Sequence, residues 1–307
     1  MRIYINSAKE NWVVDRFKLE WINSNSNNFT RFSNRSDIIW LIAPWTWKKL
    51  NKNTLKVKTV LCSIYHIDEG KFDSSELNDF LARDKYVDYY HTISLNSSNQ
   101  LKELTNKPIF ISPFWINQNV FFEIADKNNL RKKLGFNKKD YLIGSFQRDT
   151  EGTDMISPKL SKGPDRLIKI IEYYQSLNAN LSVVLTGKRR NYLIEQLEKR
   201  KIKYYYFEMV DFKRLNQLYN CLDLYIVSSR YEGGPQAILE CAITNTPIIS
   251  TDVGVAKEIL SPESIYNMEN FQNAKPNTEV AFTNTSRLLL PQGMKPFNDY
   301  FQKIYEN

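Results

Sequence analysis

The stretch from Leu222 to Glu240 (LDLYIVSSRYEGGPQAILE) constrains the fold more than any other part of the chain. Leu222 to Val227 is a short apolar, β-branched run, the mark of a buried strand. Ser228 to Gly234 is polar and carries two glycines, so the chain turns there. Pro235 suits the first turn of a helix, where its missing N–H costs nothing. Gln236 to Ile243 continues as a helix with apolar Ala237, Ile238, Cys241 and Ala242. A strand that passes directly into a helix aims the helix N-terminus above the strand end. Backbone N–H groups and the helix dipole favour an anion there, phosphate above all. Gly233 and Gly234 remove side chains, so a ligand can approach the backbone. Glu232 and Glu240 border the turn and can accept hydrogen bonds from hydroxyls. A nucleotide-sugar carries both the phosphates and the hydroxyls that such a turn would bind.

The 307 residues are too many for one ordinary core and fit two domains. No apolar run reaches the roughly 18 to 20 residues that span a bilayer. The N-terminus, MRIYINSAKENW, has no long apolar core and enters a short strand. Cys62, Cys221 and Cys241 are odd in number and sit in apolar contexts. They read as buried thiols in a reducing compartment, which points to the cytoplasm. The net charge of +8 is dispersed, with 16 Lys/Arg against 13 Asp/Glu in residues 1–125 and 26 against 21 after it. A dedicated nucleic-acid surface would be clustered, so no nucleic-acid partner is expected. Trp45 to Lys58 (WTWKKLNKNTLKVK) is the local exception, with five lysines and two tryptophans. That mixture suits an anionic membrane surface, and otherwise makes a solvated basic loop and helix.

Strand and helix patterns alternate along the chain, which implies parallel sheets with helices on their faces, an α/β fold. Strands are expected at Arg2–Asn6, Asp37–Ala43, Val57–Ser63, Val87–Ile93 and Ile109–Ile111, with helices at Trp12–Ile22, Ser74–Arg83 and Ser94–Leu104. After a boundary near Ile124, Tyr141–Phe146 opens a second sheet. A long polar loop, Gln147 to Lys162, follows it. Helices at Asp165–Leu177, Tyr192–Lys199 and Phe212–Tyr219 then alternate with strands at Leu181–Leu185 and Lys203–Phe207. The tail from Asn284 to Tyr305 reads as helical with breaks at Pro291 and Pro296. Only Gly70 among the ten glycines precedes residue 135, so the first half has no glycine-rich phosphate cradle.

Glu232 and Glu240 have seven residues between them, and SSRYEGGPQAILECAITNTPIIST resembles the E-x7-E signature of retaining glycosyltransferases of family 4, which have the GT-B fold. The resemblance extends over residues 140–260, with a looser likeness before them, and PFWINQNVFF (residues 113–122) resembles the family's interdomain linker. It implies two Rossmann-like domains facing a central cleft. Residues 1–124 would be the acceptor-binding domain and 125–290 the nucleotide-sugar-binding domain. Residues 291–307 would be a helical tail crossing back to the first domain. Arg148 and Lys162 match the family's phosphate-holding cations, with Lys159 able to share the role. Glu232 matches the residue at the donor sugar, with the backbone of Gly233, Gly234, Pro235 and Gln236 around sugar and phosphate, and Glu240 the residue at the ribose. Gly187 and Lys188 resemble a donor-contacting turn, and Met209 and Val210 the place where the base is met. His66 resembles a histidine near the reacting sugar; His91, inside a strand pattern, reads as structural.

The resemblance implies a retaining transferase that moves a sugar from a nucleotide-diphosphate sugar to a glycan or lipid-linked saccharide, in the synthesis of bacterial-type surface polysaccharide or glycoconjugate. It would work on the cytoplasmic side, at the inner face of the membrane. No Asp-x-Asp and no His/Cys cluster with metal spacing occurs in the sequence, so neither metal nor other cofactor is expected and the leaving diphosphate would be met by protein cations. Two other readings stand beside it: a GT-B epimerase acting on a nucleotide-sugar, and a non-catalytic protein that binds a nucleotide-sugar or glycan. The first would need several acid/base groups in the first domain, where histidine is scarce.

Overall fold

The alternating patterns build two parallel sheets. A computed structural model describes residues 1–10 and 13–307, so Trp12, the expected start of the first helix, lies outside the described residues. The chain divides into two units, Met1–Trp115 with Leu290–Asn307, and Ile116–Leu289.

The first unit runs β1 (Ile3–Ile5), α1 (Val13–Ser24), β2 (Ile38–Leu41), α2 (Lys52–Val57), β3 (Thr59–Ile64), α3 (Ser74–Asp84), β4 (Tyr89–Thr92), α4 (Leu95–Lys102) and β5 (Ile109–Ile111). The second runs α5 (Lys127–Lys133), β6 (Tyr141–Ser145), the two-residue strands β7 (Thr150–Glu151) and β8 (Ser157–Pro158), α6 (Pro164–Leu177), β9 (Leu181–Thr186), α7 (Asn191–Lys199), β10 (Lys203–Phe207), α8 (Phe212–Cys221), β11 (Leu224–Val227), α9 (Gln236–Ile243), β12 (Ile248–Thr251), α10 (Ala256–Ile259), β13 (Ile265–Tyr266) and α11 (Thr278–Ser286). A last helix, α12 (Lys295–Glu306), belongs to the first unit.

The first sheet has the order β1-β2-β3-β4-β5, all parallel. A single parallel bridge joins Ile3 to Phe29 on the other side of β1. With it the order becomes that of a doubly wound sheet, with its direction reversing between β1 and β2. Side chains alternate across the sheet accordingly. Ile38, Trp40 and Leu61 share one core with Phe17 and Trp21 of α1. Ile39, Leu41, Val60 and Cys62 share the opposite core with Leu55, Phe80 and Leu101. Helix α12 joins the first core through Phe297, Phe301 and Ile304, a helical stripe. Trp40 lies 5.6 and 5.2 Å from the Phe297 and Phe301 rings.

The second sheet has the order β10-β9-β6-β11-β12-β13, again all parallel. The chain winds outward from β6 through β9 to β10, then crosses to β11 on the other side of β6. The reversal point is therefore the gap between β6 and β11.

Three boundaries differ from the sequence expectation. The division falls after Trp115, not near Ile124: Ile116 and Phe121 are buried in the second unit's core, and the Ile124 amide donates to Asn220 Oδ1 at 2.6 Å. Val57 closes α2, and β3 begins two residues later. Pro296 starts α12 instead of breaking a helix, since a proline in the first turn leaves no donor unused. Strand β13 is too short to show period-two patterning, and α11, with Asn277 as its N-cap, has no strong amphipathic stripe.

His91 is structural, as its strand position suggested. It is fully buried. Trp40 Nε1 donates to Ser63 Oγ at 2.9 Å, the Ser63 hydroxyl donates to His91 Nδ1 at 2.9 Å, and His91 Nε2 donates to the Ser112 carbonyl at 2.9 Å. A carbonyl partner requires the Nε2-protonated neutral ring, and burial pushes the His91 pKa down to about 4. The unfolded chain takes up this proton near pH 6.5, while the folded core refuses it until far lower pH. Stability from the neutral ring is therefore complete above about pH 6.5 and is lost as pH falls toward 4. The five described tryptophans belong to the first unit, so their fluorescence follows its unfolding. Between pH 6.5 and 5 the wild type should lose about 2 kcal/mol through this group. His91→Gln, less stable at every pH, should lose correspondingly less over that interval; equal losses in both proteins would rule the mechanism out.

Candidate active site

Three of the residues singled out in the sequence stand on segments that leave the strand ends at the reversal point of the second sheet. In open parallel sheets such a point leaves a crevice beyond the C-terminal strand ends, because the two flanking connections depart to opposite faces. Arg148 follows β6, Glu232 follows β11, and Lys162 ends the long loop from β6 to α6.

That loop is tied to the end of β11. The amides of Arg230 and Tyr231 donate to the Ser161 carbonyl at 2.8 and 3.2 Å, and Ser228 Oγ donates to the Gly163 carbonyl at 2.9 Å. Gly163 has φ +62°, and a Cβ there would stand 1.9 Å from the Ser228 carbonyl oxygen. Only glycine permits both the left-handed turn and this approach. The tie sets Lys162 Nζ 2.5 Å from Glu232 Oε1. Ser229 Oγ lies 3.2 Å from both Glu232 Oε1 and Gln147 Oε1, while Gln147 Nε2 donates to the Lys162 carbonyl at 2.9 Å.

Helix α9 starts at Gln236 behind Pro235, as its sequence requires. The turn ahead of it is braced from β12: a Cβ on Gly254 (φ +53°) would meet the Gly233 carbonyl oxygen at 2.5 Å. Glu240 is 5 % exposed, and Tyr219 donates its hydroxyl to Glu240 Oε2 at 2.8 Å. Burial and this carboxylate together raise the Tyr219 pKa well above the usual phenol range, so the hydroxyl keeps its proton and its donor role.

Arg148 is half-buried, and its Nε donates to the Thr150 carbonyl at 2.9 Å. Burial and then nearby Arg189 lower its pKa from the usual guanidinium value. Gly187 (φ +91°) and the exposed Lys188 turn the chain after β9, and Tyr206 donates its hydroxyl to the Gly187 carbonyl at 3.1 Å. Met209 is 61 % exposed beyond β10, whereas Val210 packs against the core. The long loop also contains the β7–β8 hairpin, which its polar composition hid.

The first unit has the same kind of reversal, between β1 and β2, and side chains bridge the strand ends there. Asn6 Nδ2 donates to the Ala43 carbonyl at 2.8 Å, and the Ala43 amide donates back to Asn6 Oδ1 at 3.0 Å. The amides of Lys9 and Glu10 donate to the Asp15 carboxylate at 3.2 and 2.8 Å. A side-chain carboxylate thus takes the turn amides that a phosphate would need. His66 lies elsewhere in this unit, in the segment after β3 that Gln100 of α4 holds through the Ile67 amide (3.3 Å) and carbonyl (3.2 Å). It lines a cavity of 380 Å³ with Trp45, Tyr65, Asp68 and Glu76.

Sequence reasoning did not single out Tyr219, Ser229, Asp149 or Arg190. Tyr219 falls at an ordinary helix position, and Arg190 sits in a basic run (GKRR) that reads as surface.

Residues 126–275, a little under half of the chain, match the family model "Glycosyl transferases group 1". A 141-residue stretch is 25% identical to a lipopolysaccharide core biosynthesis mannosyltransferase, LpsB, of Rhizobium meliloti; it covers 44% of this chain and 38% of that protein. The fold matches Anabaena HepE, solved with UDP and glucose, at a TM-score of 0.75 and 11% identity over 98% of this chain and 99% of that one. It also matches the lipopolysaccharide outer core galactosyltransferase WaaB, at 0.64 and 14% over 99% and 100%. Sucrose-phosphate synthase of Thermosynechococcus elongatus follows at 0.70 and 14% over 95% and 77%. The fold is that of the GT-B glycosyltransferases. The match in the second unit and the likeness to a mannosyltransferase support a glycosyltransferase of that type.

Proposed function

We propose that the chain is a retaining, metal-independent glycosyltransferase of family 4, which moves a sugar from a nucleotide-diphosphate sugar to a glycan or lipid-linked saccharide in surface polysaccharide or glycoconjugate synthesis. What supports this reading is the Lys162–Glu232 pair ahead of the start of α9, at a reversal point that Arg148 flanks from the end of β6. As the sugar–phosphate bond breaks, negative charge grows on the diphosphate. Fixed cations and helix amides at that place stabilise the transition state more than the ground state. On donor binding, Lys162 exchanges its carboxylate partner for a phosphoryl oxygen, and Glu232 is left to accept from sugar hydroxyls. Glu240, already an acceptor for Tyr219, holds the ribose. The donor turn at Gly187 and Lys188 and the backbone at Met209 and Val210 complete the nucleotide side. The departing phosphate takes the acceptor's proton, so no protein nucleophile is invoked. In the first unit, the cavity that His66 lines offers Trp45 and Tyr65 as faces for a sugar ring and Asp68 and Glu76 as hydroxyl acceptors.

Thermal shifts with UDP, GDP, CMP, TDP and ADP and their sugars test the donor site first. HepE's ligands make UDP and UDP-glucose the leading pair. One nucleotide should stabilise the protein selectively and its sugar should be transferred to an acceptor with retained configuration. Arg148→Ala should keep the fold and lower turnover by ~100-fold or more; near-normal turnover would remove Arg148 from the mechanism. No shift with any nucleotide would count against the whole reading, and epimerised donor without transfer would move it to the epimerase class.

Transfer should also persist in EDTA, because the leaving charge is met by Arg148, Lys162 and the α9 amides. Strict dependence on added Mg²⁺ or Mn²⁺ would refute that account.

Among the described residues no helix is long and apolar enough to cross a membrane. We propose peripheral contact at the inner face through the exposed Trp45, Lys49, Lys52, Lys56 and Val57. Trp47 is buried and Lys48 pairs with Asp79 at 2.5 Å, so neither takes part. Vesicles with anionic lipid should bind the protein, more weakly as salt rises; equal binding to neutral vesicles would exclude this surface.

A further inference from the structure

The residue after Arg148 forms a fully buried ion pair. Asp149 is 1 % and Arg190 0 % exposed. Arg190 Nε donates to Asp149 Oδ2 at 2.6 Å, and Arg190 Nη1 donates to the Thr186 carbonyl at 3.0 Å, at the end of β9. Asp149 Oδ1 accepts from Thr150 Oγ1 at 2.8 Å and from the Leu193 amide in the first turn of α7 at 3.3 Å. Its backbone is used as well. The Asp149 amide donates to the Arg189 carbonyl at 3.2 Å, and the Lys159 amide donates to the Asp149 carbonyl at 2.7 Å. Every polar group of Asp149 is therefore engaged, and the contacts reach β9, the turn after it, α7 and both ends of the β7–β8 hairpin.

Stability alone does not explain such a pair. Removing two charges from water costs several kcal/mol per ion, and packed apolar side chains in their place are often as stable or more so. What the pair supplies is position. Arg148 is bonded to Asp149 through one peptide link, and its Nε donates to the carbonyl of Thr150, whose own hydroxyl accepts from the Tyr192 amide at 2.9 Å. The Arg148 guanidinium is thus held from the strand side and from the hairpin side of one anchored dipeptide. Burial first, and the like charge of Arg189 second, lower the Arg148 pKa at this position.

We propose that Asp149 and Arg190 are positioning residues: their ion pair fixes the loop after β6 so that Arg148 stands where the leaving diphosphate's charge develops. The inference rests on the donor-site reading above, in which Arg148 touches the phosphates, while Asp149 and Arg190 touch none of the reacting atoms.

The test replaces the pair as a pair. Asp149→Leu combined with Arg190→Met removes both charges and leaves no orphaned ion, so the chain should fold with a melting temperature close to wild type. With UDP-glucose, or the nucleotide-sugar the panel selects, kcat should fall about 10- to 100-fold while the acceptor KM stays unchanged. In this background Arg148→Ala should cost at most a few-fold more, against ~100-fold in the wild type, because a mispositioned cation has little left to lose. Hydrogen exchange should rise over residues 147–159 and not at β11. Arg190→Lys serves as the second variant: one ammonium cannot span Asp149 and the Thr186 carbonyl as the planar guanidinium does, so a smaller loss of kcat is expected in a folded protein. Wild-type kcat in the double variant, or an undiminished cost of Arg148→Ala within it, would overturn the proposal. If the wild type transfers no sugar and binds no nucleotide, the donor-site reading fails instead. Hydrogen exchange then decides the anchoring separately, and unchanged protection of 147–159 in the double variant would overturn that too.

Discussion

The proposed donor site depends on one backbone contact, the closure of residues 161–163 onto residues 228–231. Strands β6 and β11 are neighbours, but their connections leave in opposite directions, and nothing in sheet pairing alone brings Lys162 near Glu232. The closure does so with main-chain hydrogen bonds and a glycine with φ +62° that presses against the Ser228 carbonyl. Main-chain contacts fix distance more tightly than long side chains, which lose rotamer entropy to hold a single geometry. The 2.5 Å Lys162–Glu232 pair is a consequence of that closure.

The two units make a controlled comparison. Both are parallel sheets wound on two faces, and both have a reversal point. In the first, the strand ends are bridged by the Asn6 side chain and the turn amides donate to Asp15. In the second, the corresponding place carries Arg148, Lys162 and the start of α9. Topology supplies a crevice in each case, and side chains at the strand ends decide whether an anion can use it. An aspartate in the first turn of α1 is favourable for the same reason a phosphate would be, since both answer the positive end of a helix.

Much of this was legible in the residues. Leu222 to Ile243 combined a β-branched run, glycines and a proline in an order that admits one local structure, and α9 begins and ends where its pattern places it. Helices with good caps were equally plain, as at Ser94 and Asp211. The unit boundary was not, because Ile116 and Phe121 look like a linker until the core that receives them exists. Pro296 shows a different limit: the same residue ends one helix or starts another, and only the neighbouring apolar stripe of Phe297, Phe301 and Ile304 distinguishes them. Asp149 and Arg190 were hidden most completely. Charged residues in a polar loop read as solvated, and their burial arises only when β9, α7 and the hairpin converge on them.

The loop between β6 and α6 therefore has two anchors of different kinds. Its rear is fixed by backbone closure at Gly163, which requires the absence of a side chain. Its front is fixed by a buried ion pair at Asp149, which requires two specific ones. Between them the β7–β8 hairpin carries exposed Met155 and Ile156 (36 and 56 %). The Lys159 amide closes the hairpin onto the Asp149 carbonyl at 2.7 Å, and Arg189 Nη1 donates to the Gly152 carbonyl at 3.3 Å, so the hairpin is tied both at its base and at its turn.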